Sequence, residues 1–104
     1  MSEDEFRTRF ELTRQSIGTW AAYTAGLVRA ASEYRETGRF SSDERTTAEQ
    51  ALRAVQAERR DLADAMSGSL VKDDDLARGV EIALNELDLL ERDMQTALGG
   101  LPSR

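Results

Sequence analysis

The chain of 104 residues contains no cysteine and no histidine, and it has a single proline and few aromatic residues. Without cysteine, disulfide bonds and thiol chemistry are excluded. Without histidine, the chain lacks the commonest general base and the commonest transition-metal ligand. No apolar run approaches the ~20 residues that span a bilayer, and the opening stretch MSEDEF has no signal-peptide pattern. We therefore expect a cytoplasmic protein without a cofactor or a membrane partner. Export without a cleaved signal is left open.

What the chain does contain favours helices. Hydrophobic residues make up 39% of the sequence and charged residues 33%, fourteen residues are alanine, and the one proline is Pro102. Alanine is the strongest helix former, and nothing before Pro102 forces a helix to break. A length of 104 residues is typical of one domain. The composition therefore predicts a single all-α domain.

The net charge of −6 is unevenly distributed along the chain. Residues 1–40 are balanced, whereas residues 69–104 contain eight acidic and four basic residues, a balance of −4. An acidic surface disfavours direct nucleic-acid binding, which needs positive charge. The acidity is typical of a soluble protein and would also suit a basic partner.

Capping signals divide the chain into three helices. Ser2 followed by Glu5, and Ser41 followed by Glu44, have the spacing of a capping box. Gly38 is suited to a left-handed helix end. The prediction is a domain over 1–98 with a flexible tail over 99–104, and helices over about 3–37, 42–67 and 74–98.

The first helix carries a heptad-like apolar seam of the coiled-coil type. Three amphipathic helices with short connections predict an antiparallel three-helix bundle. The first helix is longer by about ten residues, or roughly 15 Å, so its aromatic end is expected to lack cover within the chain. We therefore expect a homodimer formed through this helix. The predicted interface residues are Phe6, Phe10, Ile17, Trp20, Tyr23, Leu27 and Tyr34.

The single tryptophan, Trp20, lies between Gly18 and Gly26 in the middle of this helix. A glycine inside a helix costs about 1 kcal/mol relative to alanine, but it permits another helix to approach closely. Two interpretations remain open. Trp20 and Tyr23 form the centre of a partner or dimer surface, since these residue types dominate binding hot spots, or Trp20 is the central core residue of one chain.

Acidic residues around the third helix suggest metal or partner binding. The stretch KDDD, residues 72–75, fails the pattern of a calcium-binding loop because Arg78 stands where that loop needs glycine. Acidic residues at a helix start instead favour capping and the helix dipole. We predict no metal site. The acidic surface that a basic partner would contact comprises Asp73, Asp74, Asp75, Glu81 and Asp88.

The stretch AERRDLADA, residues 57–65, resembles the arginine-containing stretch in the long first helix of the helical chorismate mutases. The resemblance implies a small dimeric all-α enzyme in which Arg60 binds a dicarboxylate. It covers nine residues, which here lie in the second helix rather than the first. The lysine expected beyond that helix has no clear counterpart, since Lys72 is predicted in a loop. The sequence assigns no family on this basis.

We therefore predict a non-enzymatic helical protein–protein interaction module, such as an adaptor, a small chaperone or a structural subunit, that acts as a homodimer or binds another protein. One alternative is an acidic inhibitor of the kind that phages make, which would block a basic or nucleic-acid-binding surface. The second alternative is the small helical enzyme of chorismate mutase type.

Overall fold

A computed structural model describes residues 2–102 of the chain, so Met1, Ser103 and Arg104 of the predicted domain and tail lie outside the described residues. Three helices pack against each other, and residues 2–102 include no strand, which confirms the all-α class. The helices are α1 (Glu3–Thr37), α2 (Ser42–Ser67) and α3 (Asp74–Gly99).

The ends of α1 follow the capping chemistry that the sequence predicts. The Oγ atom of Ser2 accepts a hydrogen bond from the backbone N–H of Glu5 and donates one to the Glu5 carboxylate, each at 3.1 Å. Gly38 has a φ of 70°, and its N–H donates to the carbonyl of Tyr34 at 2.7 Å. A residue with a Cβ is strained at such a φ, so glycine ends the helix here.

The capping box predicted for α2 is not formed. Ser41 is the residue before the helix, but its side chain accepts no capping hydrogen bond. The backbone carbonyl of Ser41 instead accepts from the N–H of Glu44 at 3.1 Å. At the start of α3, by contrast, one carboxylate oxygen of Asp73 accepts from the N–H groups of Asp75 and Leu76 at 2.9 and 3.3 Å. The side-chain cap is therefore present at α3 and absent at α2.

One continuous core runs between the three helices. The fold measures 52 × 19 × 17 Å, and a 35-residue helix such as α1 is itself about 52 Å long. The first helix therefore extends along the whole molecule, and the core lies beside it. The buried apolar residues are Phe6, Phe10, Ile17, Leu27, Ala31, Ala48, Ala51, Val55, Leu62, Leu76, Val80, Ala83, Leu87, Met94, Ala97, Leu98 and Leu101.

The segment predicted as a flexible tail is packed as far as the structure describes it. Gly99 is the last residue of α3, and the Leu101 side chain is buried. The guanidinium of Arg45 in α2 donates to the carbonyls of Leu98, Leu101 and Pro102 at 3.0–3.3 Å. A cation at the carbonyl end of α3 satisfies acceptors that the helix leaves unpaired. The domain therefore includes this segment through Pro102.

None of the helices in residues 2–102 combines the length and apolar character needed to cross a membrane.

Candidate functional site

Four of the seven predicted interface residues lie inside the core of the chain itself. Phe6, Phe10, Ile17 and Leu27 are at most 7% exposed. Since their apolar surface is already covered, they cannot form the dimer contact expected of them while the chain keeps this fold. The expectation of an uncovered aromatic end is therefore corrected.

The start of α3 provides the cover at this end of α1. The carboxylate of Glu3 accepts from the backbone N–H groups of Lys72 and Asp73 at 3.4 and 3.3 Å, and Arg7 pairs with Asp73 at 3.1 Å. The Phe10 ring lies so close to Gly79 that an added Cβ would be 3.3 Å from it. The close approach that glycine permits is thus made at Gly79 in α3.

The other three predicted interface residues are half-buried. The Nε1–H group of Trp20 donates to the Glu58 carboxylate in α2 at 2.9 Å, and the Trp20 and Tyr23 rings meet edge to face at 6.3 Å. Burial, and secondarily the charge of Glu44, raises the pKa of Tyr23. Tyr34 packs near Phe40 from the α1–α2 connection, with ring centroids 6.2 Å apart. All three aromatic side chains therefore make contacts within the chain.

The opposite side of α1 has an unoccupied surface of small residues. Gly18, Ala22 and Gly26 are exposed and are spaced by four residues, so they follow one side of the helix. Within the described residues, no atom of another element lies within 4 Å of where a Cβ of Gly18 or Gly26 would stand. We call these three residues and the exposed Ala21 and Ala25 the small-residue face. None of the three helices described in residues 2–102 makes the close approach that Gly18 and Gly26 would permit.

A groove of about 470 Å³ joins the small-residue face to α3. Its lining includes Arg14, Gly18 and Ala21 from α1 and Ile82 and Glu86 from α3.

Exposed aliphatic side chains extend this groove along the helices. Val28 follows Ala21 by seven residues, and Leu89 follows Ile82 by seven, so each continues its stripe for two more turns. Val28, Ile82 and Leu89 are between 46% and 57% exposed. We call the surface formed by these two stripes the α1–α3 strip. It holds three of the large apolar side chains that the fold leaves exposed.

The predicted acidic surface is divided between structural and free carboxylates. Asp73 caps α3 and pairs with Arg7, while Asp88 pairs with Arg59 at 2.8 Å and with Arg92 at 3.0 Å. Asp74, Asp75 and Glu81 are exposed. Asp74 and Asp75 occupy the first turn of α3, where negative charge stabilises the helix dipole. Two of the five predicted acidic residues therefore already have partners in the chain.

We expect Asp73→Asn to change the pH dependence of stability. The hydrogen bond from Arg7, followed by those from the N–H groups of Leu76 and Asp75, holds the pKa of Asp73 below its ordinary value of 3.8. A lowered pKa in the folded state stabilises the fold above pH 3.8, and this stabilisation disappears as pH falls through the lowered value. Asparagine keeps an acceptor for the cap but has no charge.

The measurement is the free energy of unfolding of both proteins in urea from about pH 2 to pH 7. The advantage of the wild type over Asp73→Asn should be constant near neutral pH and should shrink at acidic pH. An Asp74→Asn variant is the control, because Asp74 forms no salt bridge in the described part of the chain. A gap between wild type and Asp73→Asn that is unaffected by pH would contradict the assignment.

A charged cluster between α2 and α3 includes a buried carboxylate, Glu91, which is not among the residues predicted from the sequence. Glu91 is only 9% exposed. One of its oxygens accepts from Gln56 at 3.0 Å, and the other forms an ion pair with Arg59 without a well-aligned hydrogen bond. Arg59 also pairs with Asp88. The available signal was the position of Glu91 four residues after Leu87, on the buried stripe of α3.

Arg60, the residue that the chorismate mutase resemblance implies as a ligand, is exposed at the rim of a cleft beside this cluster. The cleft has a volume of about 620 Å³ and is also lined by Gln56, Arg59 and Glu91. The charges of Arg59 and Glu91 are directed at each other. Across residues 2–102, no three acidic side chains are grouped as they would be to hold a metal ion.

Comparisons with known proteins find no match for this chain. The chain matches no protein-family model, and neither a curated protein nor a solved structure matches it significantly.

Proposed function

We propose that the chain is a non-enzymatic helical protein–protein interaction module, serving as an adaptor, a small chaperone or a structural subunit, and that it acts as a homodimer through α1. The observation that carries the proposal is the small-residue face, where Gly18 and Gly26 stand in the middle of a 35-residue helix with open space above them.

The energetic argument is that these glycines bring the isolated chain no visible benefit. Each costs about 1 kcal/mol in a helix interior relative to alanine. Neither adopts a positive φ, and neither is approached by another element within residues 2–102. A second helix lying on this face would pack more closely, because the missing Cβ atoms let the two backbones approach each other. The proposed dimer contact thus lies on α1, but on the side opposite Phe6 and Phe10.

The proposal includes an antiparallel order of consecutive helices. Three pairs of residues between α2 and α3 support it, because their positions advance along α2 as they recede along α3. Arg45 bonds to the carbonyl of Leu98, and Arg59 pairs with Asp88. Gln56, between them in α2, bonds to Glu91.

A non-enzymatic role is favoured by the state of the most buried charged cluster. The Arg59 guanidinium is shared between Asp88 and Glu91, and Gln56 bonds to the remaining Glu91 oxygen. These charged groups are directed at each other and not at a substrate.

The test is to fill the small-residue face and measure both stability and association. We expect Gly18→Ala combined with Gly26→Ala to raise the free energy of unfolding of the monomer by about 1–2 kcal/mol. The added methyl groups should also weaken self-association by about tenfold or more, which corresponds to ~1.4 kcal/mol. Sedimentation equilibrium over a concentration series gives the dissociation constant, and urea unfolding at low concentration gives the stability.

Gly99→Ala is the matched control, because Gly99 also lies in a helix with open space around it in the described structure. It should leave the dissociation constant unchanged. A wild type that stays monomeric over the whole series would contradict the proposal. Unchanged association in the double glycine variant would remove the small-residue face from it.

A further inference from the structure

Two cavities lie between α1 and α2 on the side of the fold away from α3. The Gly26 cavity has a volume of about 410 Å³, and its lining includes Tyr23, Gly26 and Ala30 from α1 and Asp43, Glu44 and Thr47 from α2. The Leu12 cavity has a volume of about 260 Å³, and its lining includes Leu12 from α1 and Glu58 and Asp61 from α2. We call the surface that contains both cavities the α1–α2 groove.

The two cavities belong to one groove because the same stripes of residues pass through both. Residues spaced by seven follow one side of a helix. The stripes are Leu12, Thr19 and Gly26 on α1 and Thr47, Ala54 and Asp61 on α2. Only a short side chain, Thr19 or Ala54, therefore stands between the cavities on each stripe. From Leu12 to Ala30 the groove is about 27 Å long.

The charges along this groove are mainly acidic. Asp43 and Glu44 are the charged residues that line the Gly26 cavity, and Asp61 lines the Leu12 cavity. All three are exposed, and within residues 2–102 none of them forms a salt bridge. Burial and, secondarily, the charge of Glu44 raise the pKa of Tyr23, so this carboxylate acts on a ring in the wall of the same cavity.

The basic side chains nearby lie at the ends of the groove or outside it. Arg9 lines the Leu12 cavity, and Arg39 lines a neighbouring cavity beyond Ala30. Arg29 follows Ala22 by seven residues, so it lies towards the outer side of α1. The Gly26 cavity therefore has two carboxylates and no basic residue in its lining.

We infer that the α1–α2 groove binds an amphipathic helix of another protein, with apolar side chains in the two cavities and arginine or lysine side chains beside Asp43, Glu44 and Asp61. Opposite charges across such a groove favour this partner, and an acidic partner would be repelled. An extended segment is disfavoured, because both walls are helices whose backbone groups bond within each helix. The inference goes beyond the proposed homodimer, although the groove shares Ala22 and Gly26 with the small-residue face.

The probe is a synthetic helical peptide of about 21 residues, composed of alanine and arginine with two leucines fourteen positions apart. This spacing matches Leu12 and Gly26, which are fourteen residues apart on α1. A peptide with glutamate in place of arginine is the control for charge. Trp20 is the only tryptophan of the chain, and its hydrogen-bond partner Glu58 lines the Leu12 cavity, so Trp20 fluorescence reports binding.

We expect the basic peptide to bind with a dissociation constant of tens of micromolar and the acidic peptide to bind at least about tenfold more weakly. The titration uses about 1 μM protein, so that self-association does not compete with the peptide. Equal binding of the two peptides, or no binding of the basic one, would overturn the inference.

Thr47→Arg tests whether the peptide occupies the groove. An arginine at this exposed position would fill the Gly26 cavity and repel a basic helix, so we expect at least about tenfold weaker binding. Thr46→Arg is the matched control, because Thr46 is also exposed on α2 but lies outside the linings of both cavities. It should bind within about twofold of the wild type. Equal affinities of the two variants would contradict the placement of the peptide.

Neutralising the acidic side chains tests the contribution of charge. The variant carries Asp43→Asn, Glu44→Gln and Asp61→Asn and should bind the basic peptide at least about tenfold more weakly. The matched control carries Glu81→Gln, Glu86→Gln and Asp93→Asn, which remove the same charge from exposed positions on α3. An equal loss in both variants would show that only net charge matters and would overturn the inferred site. Circular dichroism checks that each variant keeps its helices, because Asp43 and Glu44 also lie in the first turn of α2.

Sedimentation velocity without peptide separates this inference from the proposed homodimer. A wild type that binds the peptide and stays monomeric supports the inference and contradicts the homodimer. A wild type that dimerises and does not bind the peptide supports the homodimer and overturns the inference. If Thr47→Arg weakens self-association and Thr46→Arg does not, a second copy occupies the groove and the inferred partner is wrong.

Discussion

Replacing Phe6 by alanine is expected to lower the free energy of unfolding by about 3–5 kcal/mol, the range for removing a buried aromatic side chain. Phe6 is 0% exposed, and its ring lies 6.4 Å from that of Phe10. The loss combines the transfer free energy of the ring with the cavity that remains in the core. Urea unfolding followed by circular dichroism measures it.

The result also distinguishes a core residue from an interface residue. If Phe6 is in the core of one chain, the loss of stability should be the same at every protein concentration. If Phe6 is at a dimer interface, the substitution should chiefly raise the dissociation constant and act strongly only at high concentration. Leu12→Ala is the matched control on the same helix, because Leu12 is 61% exposed and should cost less than about 0.5 kcal/mol. An equally small effect at Phe6 would contradict its placement in the core.

Removing Arg59 should have the second largest effect, a loss of about 2 kcal/mol from Arg59→Ala. The arginine is the partner of both Asp88 and the buried Glu91, so its loss leaves two carboxylates together without that charge. Breaking a fully buried pair costs about 3–5 kcal/mol. We expect less here because the Arg59 side chain is 37% exposed and water screens part of the charge.

A double-mutant cycle separates the pairing of Arg59 with Glu91 from the packing of the Arg59 side chain. Arg59→Met keeps most of the packing of the arginine stem, and Glu91→Gln removes the buried charge. The double variant should be more stable than the sum of the two single losses predicts, because it leaves no unpaired charge at position 91. The measurement is urea unfolding at neutral pH for all four proteins. Strict additivity of the two losses would show that the pair is not coupled.

Much of the fold follows from local chemistry that can be read along the chain. Ser2 with Glu5 starts α1, and Gly38 ends it in the left-handed conformation. These features depend on residues within four positions of one another, so no knowledge of distant segments is needed. The buried seam of Ile17 and Leu27 likewise follows from helical periodicity.

The choice of what covers each apolar residue does not follow from periodicity. The sequence indicates that Phe6 and Phe10 need cover, but a second copy and the start of α3 could provide it equally well. The contact depends on Gly79, which is more than sixty positions away and permits the close approach of Phe10. Periodicity therefore predicts an interface at Phe6 and Phe10, although the chain buries both residues itself.

Sequence patterns also fail to predict the packing of two other parts of the chain, the segment after Leu98 and the residue Glu91. A glycine pair followed by proline is typical of a loose end, yet Arg45 from α2 binds the carbonyls there. An acidic residue in a helix is usually solvated, yet Gln56 and Arg59 pair with Glu91 from the neighbouring helix. In both cases the partner belongs to another helix. The residue pattern along a single helix cannot indicate such a partner.

The amino-acid order therefore accounts for the all-α class, the helix ends at α1 and the need for an apolar face, because these arise from interactions between near neighbours. Packing in three dimensions accounts for which side of α1 is covered. It buries Phe6 and Phe10, with Phe10 against Gly79 of α3, and leaves Gly18 and Gly26 open. The reason is that α2 and α3 surround only part of the circumference of α1, and side-chain fit between distant segments selects which part.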